Sequence, residues 1–94
     1  MKVQIAAIEY LGKEDDVARV KIEYFAGNIP DEDILKLKIA EPLLMYASLI
    51  LQLDSIVSKR TGVKLRALQK RRVVAFFRDM PERNKPLRIE FKVI

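Results

Sequence analysis

The chain contains no cysteine, no histidine and no tryptophan among its 94 residues. Without cysteine it can form neither a disulfide framework nor a thiolate metal site. Without histidine it lacks the usual general base of enzymes and the commonest protein ligand of metals. Catalysis would have to rely on carboxylates, lysine, arginine, tyrosine, serine or threonine. We therefore expect a protein that is not an enzyme and holds neither a cofactor nor a metal.

A long hydrophobic segment is also missing. The longest apolar stretch, Leu43 to Leu53, is interrupted by Ser48 and Gln52, and it falls short of the roughly 20 residues that cross a bilayer. The first ten residues alternate polar and apolar types, which is not the pattern of a signal peptide. We expect a soluble cytoplasmic protein that does not contact membranes. Few Asn and Gln residues, with abundant Lys, Arg, Glu, Ile and Val, favour a thermophilic source.

Half of the residues are apolar, which is enough for one domain with a modest core. The N-terminal part predicts a β-hairpin with one wet face, because apolar and polar residues alternate on both sides of a polar turn at residues 12–16. Residues 31–40 are ambiguous. Leu35, Leu37 and Ile39 alternate as in a strand, whereas Pro30 followed by three acids is typical of a helix start. We favour the strand.

The central segment predicts an apolar helix. Pro42 suits a first turn, and residues Leu43 to Leu53 are apolar on every side. Such a helix must be covered all round. The sheet of a small domain covers one face, so we expect the other face to meet a second helix, another copy of the chain in a homodimer, or a larger protein. Gly62 predicts the end of this helix near Arg60.

The remaining segments predict a short basic helix from about Val63 to Arg72 and a second hairpin. Residues 73–77 are β-branched and aromatic, and apolar and polar residues alternate from 87 to 93. The predicted fold class is therefore α+β. It consists of an N-terminal β-hairpin, a central apolar helix, a short basic helix and a C-terminal β-hairpin in a single domain.

Charge is divided unevenly along the chain. Residues 1–54 carry 6 basic and 10 acidic side chains, a net charge of −4, and residues 55–94 carry 12 basic and 3 acidic ones, a net charge of +9. Seven of the fourteen residues from Lys59 to Arg72 are basic, and no acid lies between Asp54 and Asp79. A one-sided positive surface attracts polyanions, of which nucleic acids are the commonest.

Residues 55–70 carry a second indication. Ser58 is a small residue on the inner face of a first helix, Gly62 makes a turn, Val63 follows it, and Leu68 lies five positions further on. This pattern resembles the helix-turn-helix of DNA-binding regulators. The following strand, basic loop and strand resemble the wing of a winged-helix domain. At the next inward position this chain has Arg71 where that family has Leu or Ile.

The resemblance implies that the second helix presents basic and amide side chains to the major groove of DNA. Arg and Gln can contact base edges, while Lys mostly neutralises phosphate. DNA is favoured over RNA on this basis. The alternative is that the run is the solvated face of an ordinary helix, although such faces usually alternate charge signs. The predicted nucleic-acid-binding residues are Lys59, Arg60, Lys64, Arg66, Gln69, Lys70, Arg71, Arg72, Arg83 and Lys85.

Other functions remain open. The runner-up is an accessory subunit of a larger nucleic-acid-processing complex that docks through Leu43 to Leu53. A third hypothesis is a metal-dependent nuclease in which Glu90 and Lys92 act with Asp31, although such triplets occur by chance on amphipathic strands. The acids at residues 31–33 could hold a hard cation, but they are more typical of a solvated turn or helix start. Residues 72–77 could also be a single-strand-binding strand.

Overall fold

The computed structural model describes residues 3–61, 69–80 and 87–91, with the backbone alone at residues 60 and 61. The fold is α+β, as predicted, with an antiparallel sheet of strand order β3-β2-β1-β4 and two helices against its inner face. The elements are β1 (Val3–Glu14), β2 (Val17–Ala26), β3 (Ile29–Lys38), α1 (Pro42–Thr61), α2 (Lys70–Asp79) and β4 (Arg88–Glu90).

The first three strands form an antiparallel meander. β1 and β2 make the predicted hairpin, which turns at Asp15 and Asp16 with a left-handed backbone at Asp15 (φ 53°). β3 pairs with β2 along its whole length, from Ile29 opposite Ala26 to Lys38 opposite Val17. The ambiguous segment is thus a strand, as favoured from the alternation of its apolar residues.

A β-bulge interrupts the alternation of β1. The pairing of β1 with β2 shifts register between Ile5 and Ala7. Val3 and Ile5 before the bulge and Ile8 and Tyr10 after it are all buried. The extra residue lets side chains of opposite parity face the same core, which simple alternation does not allow.

One hydrophobic core lies between the sheet and the helices. Burial of its apolar side chains is the main force that holds the layers together. The largest fully buried residues are Ile5, Ile8, Ile22, Tyr24 and Leu37 from the sheet, Met45, Leu49 and Leu53 from α1, and Phe76, Phe77 and Met80 from α2 and its C-terminal end.

The prediction of a strand at residues 73–77 is wrong, because these residues lie within α2. Val73, Phe76, Phe77 and Met80 follow the i, i+3, i+4, i+7 spacing of one helical face, and all four are buried. Burying this face outweighs the weak strand preference of β-branched and aromatic residues. α2 begins at Lys70, not near residue 63, and residues 62–68 of the predicted basic helix lie outside the described residues.

The predicted C-terminal hairpin is wrong for the same reason. β4 has no neighbour at residues 73–77 and instead pairs antiparallel with β1, where Ile89 lies opposite Ile8. Residues 81–86 of the predicted connecting loop lie outside the described residues. The first strand of the expected wing is therefore helical.

The apolar helix is confirmed, with α1 starting at Pro42 and ending at Thr61, close to the predicted end. Its inner side packs on β3 and α2. The described residues do not cover the helix all round, because Leu43, Leu44 and Leu51 are 53%, 59% and 71% exposed. Neither α1 nor α2 is long and apolar enough to cross a membrane.

Candidate nucleic-acid interface

Three consecutive cations open α2. Lys70, Arg71 and Arg72 are exposed, and the first turn holds no acidic residue. Gln69 precedes them with a left-handed backbone (φ 46°, ψ 43°) and no side-chain cap. Cations at a helix N-terminus add to the positive end of its dipole and cost about 0.3–1 kcal/mol each at low ionic strength. The arrangement is unfavourable for the helix alone and favours an anionic partner.

No acid in the described parts of the chain forms an ion pair with the exposed cations of the two helices. The ion pairs among these residues involve Lys21, Lys38 and Arg88, all of which lie on the sheet. Uncompensated charge of one sign produces a positive field outside the protein. Among the described residues, the helix cations that have no acidic side-chain partner are Lys59, Lys70, Arg71, Arg72 and Arg78.

Arg72 differs from its neighbours because it has partners within the chain. Its Nη2 donates to the backbone oxygen of Glu90 at 3.0 Å. Its Cζ lies 4.6 Å from the centre of the Phe91 ring, which is a cation–π contact. Arg72 thus attaches the first turn of α2 to the end of β4. A guanidinium has five N–H donors, so this contact leaves others for a phosphate.

Gln69 is placed differently from the prediction. Its Oε1 is shielded from solvent and accepts no hydrogen bond from the described residues. A bidentate contact to adenine needs both the oxygen and the nitrogen of an exposed amide. In this conformation Gln69 therefore cannot make such a contact.

The structure describes the side chains of only part of the predicted set. Lys59 is exposed in the last turns of α1, and α1 packs against α2. Arg60 belongs to the same turn, with only its backbone described. Four predicted residues lie outside the described parts of the chain: Lys64, Arg66, Arg83 and Lys85.

Three acids of the first half of the chain, Glu9, Glu23 and Glu32, pair with cations on the outer face of the sheet. The pairs are Arg88 with Glu9 (3.2 Å), with Glu23 and with Glu90 (3.4 Å), and Lys21 with Glu9 (3.8 Å) and Glu32 (3.9 Å).

Arg88 is the centre of this outer network. Its hydrogen bond to Glu23 lowers the pKa of that carboxyl below the ordinary value of 4.5, against a smaller opposing effect of burial. The same contact raises the pKa of the Arg88 guanidinium. Because the network spans β2, β1 and β4, it also joins the short β4 to the rest of the sheet.

The groups of the nuclease hypothesis do not converge. Asp31 lies on β3 and Glu90 on β4, at opposite edges of the four-stranded sheet, so roughly three strand spacings of about 4.8 Å separate them. Asp31 and Asp33 also point to the face opposite Glu32, since they alternate along a strand. Tyr24 donates to Asp33 Oδ2 at 2.6 Å. Residues 3–61, 69–80 and 87–91 contain no cluster of three or more metal-binding side chains.

The stretch that resembles a helix-turn-helix is only partly described. Ser55 and Ser58 lie in the second half of α1, and Lys70 begins α2, while the turn at residues 62–68 lies outside the described residues. Comparison with known protein families, curated proteins and solved structures finds no match to this chain. The resemblance remains a prediction from the sequence.

Proposed function

We propose that this protein binds nucleic acid through the basic side chains at the end of α1 and the start of α2, and that it catalyses no reaction. The observation that carries this proposal is the first turn of α2. It presents Lys70, Arg71 and Arg72 to solvent with no acid in the same turn. A helix tolerates this arrangement at a cost, which phosphate groups would offset.

The wider charge distribution supports a polyanion over a small anion. Lys59 and Arg78 add exposed cations on two helices, so the basic surface extends beyond one helix turn. A nucleic acid can contact several such groups at once, and each contact releases counterions from the phosphate backbone. We propose duplex DNA as the preferred form, because a basic helix can enter its major groove.

An electrophoretic shift on the pure protein tests this function. Duplex DNA, single-stranded DNA and RNA of equal length would be compared at about 50 and about 200 mM salt. Four phosphate contacts, one each from Lys59, Lys70, Arg71 and Arg72, predict a loss of affinity of roughly 100-fold over this range. Duplex DNA should bind more tightly than RNA. Absence of any shift, or a shift that salt leaves unchanged, would contradict the proposal.

The second candidate is an accessory subunit that docks on a larger nucleic-acid-processing protein. The exposed leucines of α1 favour it, because Leu43, Leu44 and Leu51 form an apolar strip that the described residues leave open to solvent. Such a subunit need not bind nucleic acid alone. A pure protein that shifts none of the three nucleic acids would favour this candidate over direct binding.

A further inference from the structure

β3 is an edge strand of the sheet that the described residues form. It pairs with β2 on one side, and no strand of the described residues pairs with its other side. Ile39, just past the end of β3, donates its backbone N–H to the backbone oxygen of Asp16 at 2.6 Å. Asp16 immediately precedes β2, so the backbone N–H of Ile39 is directed to the β2 side of the strand. Alternate residues of an antiparallel strand face the same neighbour. The even-numbered residues of β3 therefore direct their backbone N–H and C=O groups to the open edge.

A side-chain contact is consistent with this orientation. Gln52 of α1 donates its Nε2 to the backbone oxygen of Lys36 at 3.0 Å. Lys36 is even-numbered, so its carbonyl points away from β2, and Gln52 occupies one of the two acceptor positions of this oxygen. The second acceptor position can take an N–H of another chain. The open edge spans ten residues, whereas the opposite edge of the sheet, β4, has three. One long edge is available for pairing with another chain.

The charges of β3 are separated by sign. Asp31, Glu32 and Asp33 precede Ile34, and Lys36 and Lys38 follow it. A second copy of this strand that ran parallel would place like charges side by side. An antiparallel copy would place the acidic half of each strand beside the basic half of the other. Opposite charges across a strand pair are stabilising and like charges are destabilising.

We propose that the protein forms a homodimer in which β3 pairs antiparallel with β3 of a second copy. The two-fold axis is perpendicular to the sheet and passes midway between the two Ile34 residues. In this register Glu32 of each copy lies opposite Lys36 of the other, and the two Ile34 side chains lie opposite each other. All three residues are on the outer face, so the eight-stranded sheet keeps the helices of both copies on one side.

Exposed apolar side chains flank the proposed interface. Ile34 is 54% exposed on the outer face of β3. On the inner side, Leu44, Ser48 and Gln52 are spaced by four residues and form one ridge of α1, which Gln52 places at the β3 edge. Leu44 is 59% exposed. Pairing at β3 would bring this ridge toward its equivalent in the second copy.

The two-fold symmetry of the proposed contact limits assembly to two copies. Lysine and proline on an edge strand usually oppose pairing, but here Pro30 lies outside the span from Glu32 to Lys36. A two-fold contact uses the same surface on both copies and is closed. The other edge of the described sheet consists of β4, three residues long, and of the parts of β1 that β4 does not pair with. A third copy therefore has no second β3 edge with which to pair.

Charge exchange tests the register. Glu32→Lys places lysine opposite lysine in the dimer, and Lys36→Glu places glutamate opposite glutamate. Sedimentation should show a dimer for the wild-type protein and a dimer at least about tenfold weaker for each variant. An equimolar mixture should recover the dimer, since each variant then meets its complement. The double variant Glu32→Lys/Lys36→Glu should also dimerise, and recovery in either case shows that the substituted chains fold.

A third substitution is the matched control. Lys38→Glu changes the charge as much as Lys36→Glu does, but in the proposed register residue 38 lies opposite Pro30. It should leave the dimer within about threefold of wild type. A monomeric wild-type protein at micromolar concentration would overturn the proposal. So would failure of the mixture to recover the dimer, or a Lys38→Glu effect as large as that of Lys36→Glu. These outcomes do not bear on nucleic-acid binding, which uses other residues.

Discussion

The Arg72 guanidinium lies over the Phe91 ring, 4.6 Å from its centre. It also donates to the backbone oxygen of the preceding residue, Glu90, at 3.0 Å. Arg71, one position earlier, has no acidic partner among the described residues and is exposed. Two neighbouring arginines of the same basic run therefore have different roles. One holds α2 against β4, and the other is available to a ligand.

Alanine at these two positions should separate the roles. Arg72→Ala loses a cation–π contact and a charged hydrogen bond, so it should lower the free energy of unfolding by about 1–2 kcal/mol. Arg71→Ala removes the same charge and should change it by no more than about 0.5 kcal/mol. Urea denaturation measures both. Equal losses of stability would mean that the contact with Phe91 contributes nothing.

Tyr24 and Tyr46 offer a second matched comparison. The Tyr24 hydroxyl donates to Asp33 at 2.6 Å, and Tyr24→Phe should cost about 1–3 kcal/mol of stability because the carboxylate loses this hydrogen bond. The Tyr46 hydroxyl is buried with no hydrogen-bond partner in the described residues, and burial raises its pKa.

Tyr46→Phe should therefore leave stability unchanged or raise it by about 1 kcal/mol, since it removes a buried polar atom that is not satisfied. Thermal and urea unfolding of the two variants would be compared with wild type. A loss for Tyr46→Phe as large as that for Tyr24→Phe would indicate that the Tyr46 hydroxyl has a partner.

The Arg88 network predicts a pH dependence. The pKa of Glu23 is lowered chiefly by its hydrogen bond to Arg88. A carboxyl whose pKa is lower in the folded state adds stability above its ordinary pKa, here 4.5, and loses it as the pH falls through the folded value. Arg88→Gln should thus be less stable than wild type at pH 7, and the difference should shrink below about pH 4.5.

The control for this experiment is Lys38→Gln. Lys38 pairs with Asp16 at 4.0 Å with 80% of its side chain exposed, so its removal should have little effect at any pH. Unfolding would be followed from pH 7 to about pH 3 in each protein. A stability difference for Arg88→Gln that stayed constant over this range would show that Glu23 does not depend on Arg88.

Much of the fold could be predicted from local patterns. Alternation identified the first hairpin and favoured β3, and Pro42 and Gly62 bracketed α1. The bulge in β1 could not be foreseen, because the alternating template has no place for the extra residue between Ile5 and Ile8. Its position depends on pairing with β2, which a single strand does not reveal.

The error at residues 73–77 has a physical cause. Val73, Val74, Phe76 and Phe77 have the composition of a strand, but their spacing with Met80 fits a helical face that is buried against the core. The i, i+3, i+4, i+7 spacing from Val73 to Met80 was the feature of the sequence that indicated a helix. With these residues helical, the last strand had to find another neighbour, and that neighbour is β1, some 80 residues earlier. Such a distant pairing leaves no local mark in the sequence.

The candidate site could be predicted only as a charged run. Composition marked Lys70 and Arg71 as potential contacts, and the structure exposes both. Composition could not distinguish Arg72 from these two residues, because the contact of Arg72 with Phe91 is a tertiary contact. Composition also could not indicate that the amide oxygen of Gln69 would be buried.

The central claim is that the basic start of α2 binds nucleic acid, and paired charge reversals test it most directly. Lys70→Glu/Arg71→Glu alters two exposed cations of the helix. Lys13→Glu/Arg19→Glu alters two exposed cations of the β1–β2 hairpin by the same amount of charge. Circular dichroism would confirm that both variants are folded.

Affinity for duplex DNA would be measured across a range of salt concentrations for wild type and both double variants. The account predicts that the helix variant binds at least about tenfold more weakly, with a log–log salt slope smaller by about 1.8 because two phosphate contacts are lost. The hairpin variant should keep the wild-type slope. Equal losses in the two variants, or an unchanged slope in the helix variant, would contradict the assignment of the interface to α2.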